Sequence, residues 1–115
     1  IIAVYNKERY LAETLQSVLN QTCKDFEVIL VNDGSTDKSS EVIAPFLKDR
    51  RFKYFEQQNT GAGAARNKAI GLANYPYLAL LDADDIWDLE YHLVCCVMYW
   101  DLLVPVLVLV IFHYD

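Results

Sequence analysis

Four short runs rich in branched and aromatic residues, at 1–5 (IIAVY), 26–31 (FEVILV), 52–55 (FKYF) and 77–81 (YLALL), are separated by stretches whose apolar residues recur at helical spacing. Each run is too short for a helix and has the length of a buried strand. Leu11, Leu15, Val18 and Leu19 mark one face of a helix within 7–21, and Val42, Ile43, Phe46 and Leu47 mark a second, which Pro45 should kink or interrupt. The loop 59–63 (NTGAG) leads into a third helix with Ala65, Ala69, Ile70 and Ala73 on one face, broken at Tyr75-Pro76. Strands that alternate with helices are joined by crossovers, so the pattern predicts an α/β fold: a mostly parallel sheet with helices on both faces. With 115 residues, 54% of them apolar, the chain can bury one core. It carries no internal repeat, low-complexity tract or linker, and reads as a single domain.

In such a sheet, ligands sit beyond the carboxyl ends of the strands. Three polar clusters stand there: Asn6-Lys7-Glu8, the turn-forming Asn32-Asp33-Gly34-Ser35, and Asp82-Ala83-Asp84-Asp85. All three should converge on one edge. The last is costly, because like charges crowded at the end of a buried strand repel. In an extended segment residues i and i+2 project to the same side. Asp82 and Asp84 would then address one centre, and paired carboxylates suit Mg²⁺ or Mn²⁺. On pattern alone a second reading stays open, in which Asp84 or Asp85 caps a helix beginning near Trp87.

Asp33 has the same ambiguity. It fits a turn followed by a helix cap, with Ser35, Thr36 and Asp37 as capping residues, or a carboxylate that binds a base or ribose at the sheet edge. Arg66 lies early in the third helix, where it either reaches a diphosphate or stays solvated. Other chemistries are disfavoured. Gly61-x-Gly63 lacks the third glycine of a dinucleotide loop, and no GxxxxGK[ST] is present. Neither His92 nor His113 has metal-ligand spacing, no serine sits in a G-x-S-x-G elbow, and Cys23 has no evident partner. A net charge of -6 argues against a nucleic-acid partner. Three cysteines, two of them adjacent (Cys95, Cys96), form neither a disulfide framework nor a CxxC pair, which fits a reducing, cytoplasmic setting. The opening Ile1-Ile2-Ala3-Val4 has no Met or basic leader and reads as strand interior, so the sequence is expected to be cropped.

Taken in order, these clusters resemble the family-2 glycosyltransferases of the GT-A fold. The matching text is Ile2-Ala3-Val4-Tyr5-Asn6, Tyr10-Leu11, the stretch from Leu15 through Thr22, the stretch from Phe26 through Asp37, Asn59-Thr60-Gly61, Ala65-Arg66-Asn67 and Leu81-Asp82-Ala83-Asp84-Asp85. The resemblance covers residues 1–91 and implies a donor-binding half there. It implies that Val4, Tyr5, Asn6 and Glu8 line the nucleotide pocket and that Asp33, beside Gly34, contacts base or ribose. Asp82 then looks like the first residue of the family's DxD motif, near the ribose. Asp84 looks like its last, ligating a Mg²⁺ or Mn²⁺ ion that bridges the donor diphosphate. Arg66 matches a segment near the donor. The implied donor is a nucleotide sugar, UDP-linked by preference, and the implied acceptor a glycan or polysaccharide, in the cytoplasm or at its membrane face.

The sequence departs from the family at Ala3, a usual proline; at Asn74-Tyr75-Pro76, a usual glycine-containing turn; and at Leu89, another usual proline. Inverting members use a carboxylate base well downstream of the DxD. Nothing around Asp101 or Asp115 matches it, so the base and the acceptor-binding half are expected beyond this chain. Residues 93–112 form an apolar run broken only by Asp101 and Pro105. Its length could cross a bilayer, but Asp101, Pro105 and the β-rich 106–111 favour a helix end followed by a buried strand. As an exposed surface, it would drive dimerisation. Two rivals remain: a nucleotidyltransferase, which would want a glycine- and lysine-rich loop where Tyr5-Asn6-Lys7-Glu8-Arg9 stands, and a non-catalytic nucleotide-sugar-binding or interaction module.

Overall fold

A computed structural model describes residues 1–88. Three parallel strands, β1 (Ile2–Val4), β2 (Val28–Asp33) and β3 (Phe52–Gln57), form a sheet in that order. Ile2 stands opposite Leu30, and Val28 opposite Phe52. The connections are α1 (Leu11–Leu19), then α2 (Ser39–Ile43) running into a 3-10 turn (Ala44–Lys48), then α3 (Ala62–Leu72). Pro45 falls at the start of that 3-10 turn. A ring at this position cannot donate the helical hydrogen bond, and the expected single helix becomes two short pieces.

The strands sort their side chains by parity. Ile2, Val4, Val28 and Leu30 pack with Leu11, Leu15, Val18 and Ile43 of α1 and α2. Ile29 and Val31 pack on the other face with Ala65 and Ala69 of α3. Every residue of β2 is buried, as expected of a strand covered on both faces. The two alanines are one helical turn apart and have no bulk beyond Cβ, so α3 lies close against the sheet. Helices on both faces are therefore present, as the alternation predicts.

After β3 the chain reverses across the sheet. The Ile1 amine donates to Ala79 O (2.8 Å) and Leu81 N donates to Ile1 O (3.0 Å), placing residues 79–81 along the side of β1 away from β2. Right-handed crossovers put α1 and α2 on one face while the chain moves one way, and α3 on the other when it turns back. The reversal beside β1 is the switch point at which such sheets open a crevice.

Four details differ from the sequence-based expectation. Asn32 and Asp33 belong to β2 rather than to the turn, because Glu56 and Gln57 of β3 extend the ladder to them. Residues 77–81 do not form a regular strand: Tyr77 is exposed, and the chain leaves β1 after Leu81 for a turn. Ile70 is exposed, since it lies one step around the helix from Ala69, and Ala73 falls just past the end of α3. Residues 7–10 form a turn, so α1 begins at Leu11. The apolar run at 93–112, with its membrane, strand and dimer readings, lies outside the described residues. Among the described residues, no helix is long and apolar enough to cross a membrane.

Candidate functional site

The loops after β1 and β2 are stitched together at the carboxyl edge. Asn6 adopts φ 50°, a left-handed conformation that asparagine tolerates better than most residues. This turns its Oδ1 to accept from Thr36 N (2.8 Å) and Asp37 N (3.3 Å), while Asn6 N donates to Ser35 Oγ (3.0 Å). Lys7 N donates to Ser39 Oγ (3.0 Å) and Glu8 N to Asp37 Oδ2 (3.0 Å), and Glu8 Oε2 accepts from Lys38 N (2.9 Å). These side chains satisfy N–H groups of both loops, including those of Thr36, Asp37 and Lys38 just before α2. Burial pushes the Asp37 carboxyl up, but hydrogen bonds from Ser39 and Glu8 outweigh it and hold the group below its ordinary value. Of the residues placed in the pocket by resemblance, Asn6 and Glu8 thus fasten two loops, and the Val4 side chain is in the core. Tyr5 is exposed at the edge.

Asp33 ends β2 and is only 3% exposed. Its Oδ1 accepts from Gln57 Nε2 (2.7 Å) and Thr60 N (2.9 Å), and its Oδ2 from Gly61 N (2.9 Å). Burial raises the pKa of this carboxyl, and the bonds from Thr60, Gln57 and Gly61 more than reverse the effect, leaving it lowered. Its charge also faces the positive N-terminal end of α3. Gly61 has φ 100° and Gly34 has φ 71°, both left-handed. A Cβ on Gly34 would stand 2.9 Å from Asn59 N, so the loop before α3 can close on β2 only over a glycine. Gly34 is thus a closure point between loops.

Asp82 and Asp84 lie at the switch point. Asp85 N donates to Asp82 O (3.0 Å), so the aspartates occupy a turn rather than the extended segment expected. They take cations from different elements: Arg66 of α3 donates to Asp82 (2.7 Å), and Lys7, beyond β1, donates to Asp84 (2.6 Å). All four side chains are 37–40% exposed, so each pair contributes about 0–1 kcal/mol to stability. The hydrogen bond to Asp84 holds the Lys7 ammonium above its ordinary pKa against partial desolvation. The repulsion that makes the cluster costly is offset by these two cations. Among the described residues no group of three or more His, Cys, Asp or Glu is arranged to hold a metal. Two carboxylates remain a hard-oxygen donor pair suited to Mg²⁺ or Mn²⁺ when a ligand's phosphates and waters complete the shell. The donor set therefore fits such an ion. No helix begins within residues 85–88, so the capping reading of Asp84 and Asp85 has no helix among the described residues.

The sequence reading passes over three further residues. Thr14, Ser17 and Gln21 are polar and buried, at 0, 8 and 1% exposure, on the otherwise apolar face of α1 and the turn after it. Each bonds the backbone of residues 83–88, behind the aspartates. The legible signal is their i, i+3, i+7 spacing, which puts polar groups on the stripe that Leu11, Leu15 and Val18 bury.

Comparison with known proteins bears on the fold and the family. Residues 1–110 match the family described as Glycosyl transferase family 2. The chain is 42% identical over 92 residues to Glycosyltransferase GlyA of Streptococcus pneumoniae serotype 4, covering 79% of this chain and 13% of that protein. It is 40% identical over 88 residues to Glycosyltransferase GlyG of the same organism, covering 75% of this chain and 29% of that protein. It therefore spans less than a third of either relative. Among solved structures, S. aureus TarS 1-349 in complex with UDP superposes with a TM-score of 0.81 at 28% identity, over 86% of this chain and 30% of that one. The same protein in complex with UDP-GlcNAc gives 0.80 at 27% identity, over 85% of this chain and 29% of that one. The mostly parallel sheet with its helices matches the fold of these neighbours. The chain belongs to glycosyl transferase family 2.

Proposed function

We propose that this chain forms the donor-binding part of a glycosyltransferase that takes its sugar from a nucleoside diphosphate sugar, with a UDP-sugar as the preferred donor. The observation that carries this reading is the meeting of Asp82, Asp84, Arg66 and Lys7 at the switch point, where α/β sheets take their ligands. The UDP and UDP-GlcNAc complexes of TarS support the choice of donor. Asp82 and Asp84 would hold a Mg²⁺ or Mn²⁺ ion, which when bound supplies positive charge to the diphosphate leaving group. Arg66 and Lys7 pair with these aspartates, and both can turn from a carboxylate to a phosphate oxygen. Asp33 holds the Thr60–Gly61 loop and with it the start of α3, the helix that carries Arg66. Transfer would proceed with inversion to a glycan or polysaccharide acceptor, activated by a carboxylate base, in the cytoplasm or at its membrane face.

Titration of UDP and GDP by calorimetry, with and without Mn²⁺, on this chain and on Asp84→Ala tests the reading. UDP binding that requires Mn²⁺ and is lost in Asp84→Ala is the expected result. A folded chain that binds neither nucleotide overturns it and favours an interaction module. Binding without product release from a UDP-sugar and acceptor identifies a nucleotide-sugar-binding module instead of an enzyme.

A further inference from the structure

The aspartates stand in a turn without regular secondary structure, and their partners Lys7 and Arg66 are long, half-exposed side chains. Such pairs do not fix a backbone. What reaches this segment from the interior is α1. Thr14 Oγ1 donates to Ala83 O (3.1 Å), the carbonyl between the two aspartates. Ser17 Oγ donates to Thr14 O (2.7 Å) and accepts from Trp87 N (3.2 Å), so one hydroxyl links the helix to the segment in both its roles. Gln21 Nε2 donates to Asp88 O (2.5 Å) and to Ser17 O (3.2 Å). The three bonds follow the same order along both segments, 14 to 83, 17 to 87 and 21 to 88, like a ladder with uneven rungs between a helix and a loop. Leu81 and Ala83, buried at 5 and 2% exposure, belong to the same core as Leu11, Leu15 and Val18 and close the ladder at its upper end.

From this we propose that Thr14, Ser17 and Gln21 are positioning residues, which fix the backbone of residues 83–88 so that Asp82 and Asp84 present their carboxylates together. What the carboxylates hold rests on the donor-site reading above; the ladder itself stands on the geometry alone. Buried hydroxyl and amide groups on a helix face cost stability unless they are bonded, and here each is bonded to the backbone of the aspartate segment or its flank. Groups that orient ligands without touching the ion typically change metal affinity by about 10- to 100-fold when removed.

The test compares this chain with Thr14→Val, which keeps the shape and removes the hydroxyl, Thr14→Ser, which keeps the hydroxyl, and Ser17→Ala. UDP is titrated by calorimetry with and without Mn²⁺ at a temperature where circular dichroism shows every variant folded. Thr14→Val and Ser17→Ala should each weaken the Mn²⁺-dependent binding about tenfold, and Thr14→Ser should restore the parent affinity. A role in stability alone would lower the unfolding temperature and leave Mn²⁺-dependent affinity untouched; that result overturns the proposal. Amide exchange at Asp85 and Trp87 supplies a readout independent of any ligand: it should accelerate about tenfold in Thr14→Val and Ser17→Ala and match the parent in Thr14→Ser. If the parent chain binds no UDP, the donor-site reading fails, and exchange still decides the ladder: unchanged exchange at both amides overturns it.

Discussion

Lys7 and Asp84 are 77 residues apart in sequence and 2.6 Å apart in space. The pair bridges the two segments that flank β1, one leaving the strand and one lying beside it, and it places a cation on one of the two carboxylates proposed to hold a divalent ion. Lys7 and the ion would therefore compete for one carboxylate. Lys7→Met should tighten binding of Mn²⁺ alone by up to about fivefold, the size of a half-exposed ion pair. Titration with Mn²⁺ in the absence of nucleotide checks it; weaker binding in the variant would show that Lys7 supports the ion rather than opposing it.

Asp33→Asn puts an NH₂ group where two oxygens now accept from Gln57, Thr60 and Gly61. At least one buried donor loses its partner, and the variant should be less stable by about 1.5–3 kcal/mol. Urea denaturation at neutral pH measures the difference. An unchanged midpoint would mean that the loop before α3 is held by other contacts.

Gly34→Ala should destabilise by more than about 1 kcal/mol, because the residue has φ 71° and its new Cβ would meet Asn59 N at 2.9 Å. Gly63→Ala is the control. It lies inside α3 with open space around the added carbon, so it should be neutral or slightly stabilising. Thermal unfolding of the two variants side by side separates backbone strain from loss of glycine as such.

Acid should weaken the start of β2 before the rest. Glu27 accepts from Lys53 Nζ (2.6 Å), Asn74 N (2.6 Å) and Asn74 Nδ2 (3.1 Å). Burial raises its pKa, the bonds from Lys53 and Asn74 prevail, and the carboxyl is held at about 2 against an ordinary 4.5. A depressed folded-state pKa contributes stability that is present above pH 4.5 and is lost as pH falls toward 2. Glu27→Gln should therefore cost about 1 kcal/mol at pH 7 and show a flatter decline between pH 4.5 and 2. Denaturant midpoints at pH 7, 4 and 3 give the comparison, and parallel declines in parent and variant would assign the acid sensitivity to other carboxylates.

The sheet was legible because its strands are branched runs of the right length, and the helices because Leu11, Leu15 and Val18 recur at helical spacing. Hydrophobicity alone could not say where a ladder stops. Asn32-Asp33 are turn residues by type, yet the register with Glu56 and Gln57 draws them into β2. Tyr77 to Leu81 are strand residues by type, yet the segment turns away after Leu81. The clusters at Asn6, Asp33 and Asp82 could be placed on one edge from topology alone. Their partners could not, because the bond from Thr14 to Ala83 O joins residues 69 apart, and nothing local in α1 signals a carbonyl that arrives so late in the chain.

The reversal beside β1 has a bearing on synthesis. Of the described strands β1 is made before β2 and β3 and lies between β2 and residues 79–81, so the edge that Ala79 and Leu81 bond stays without these partners until translation has passed Leu81. An unpaired edge of Ile and Val residues is an aggregation hazard for as long as it is exposed. The same event that covers it delivers Asp82 and Asp84 to Arg66 and Lys7. Closing so long a loop is slow relative to forming local helices, and the edge is therefore sealed and the two ion pairs are made in a single late step of folding.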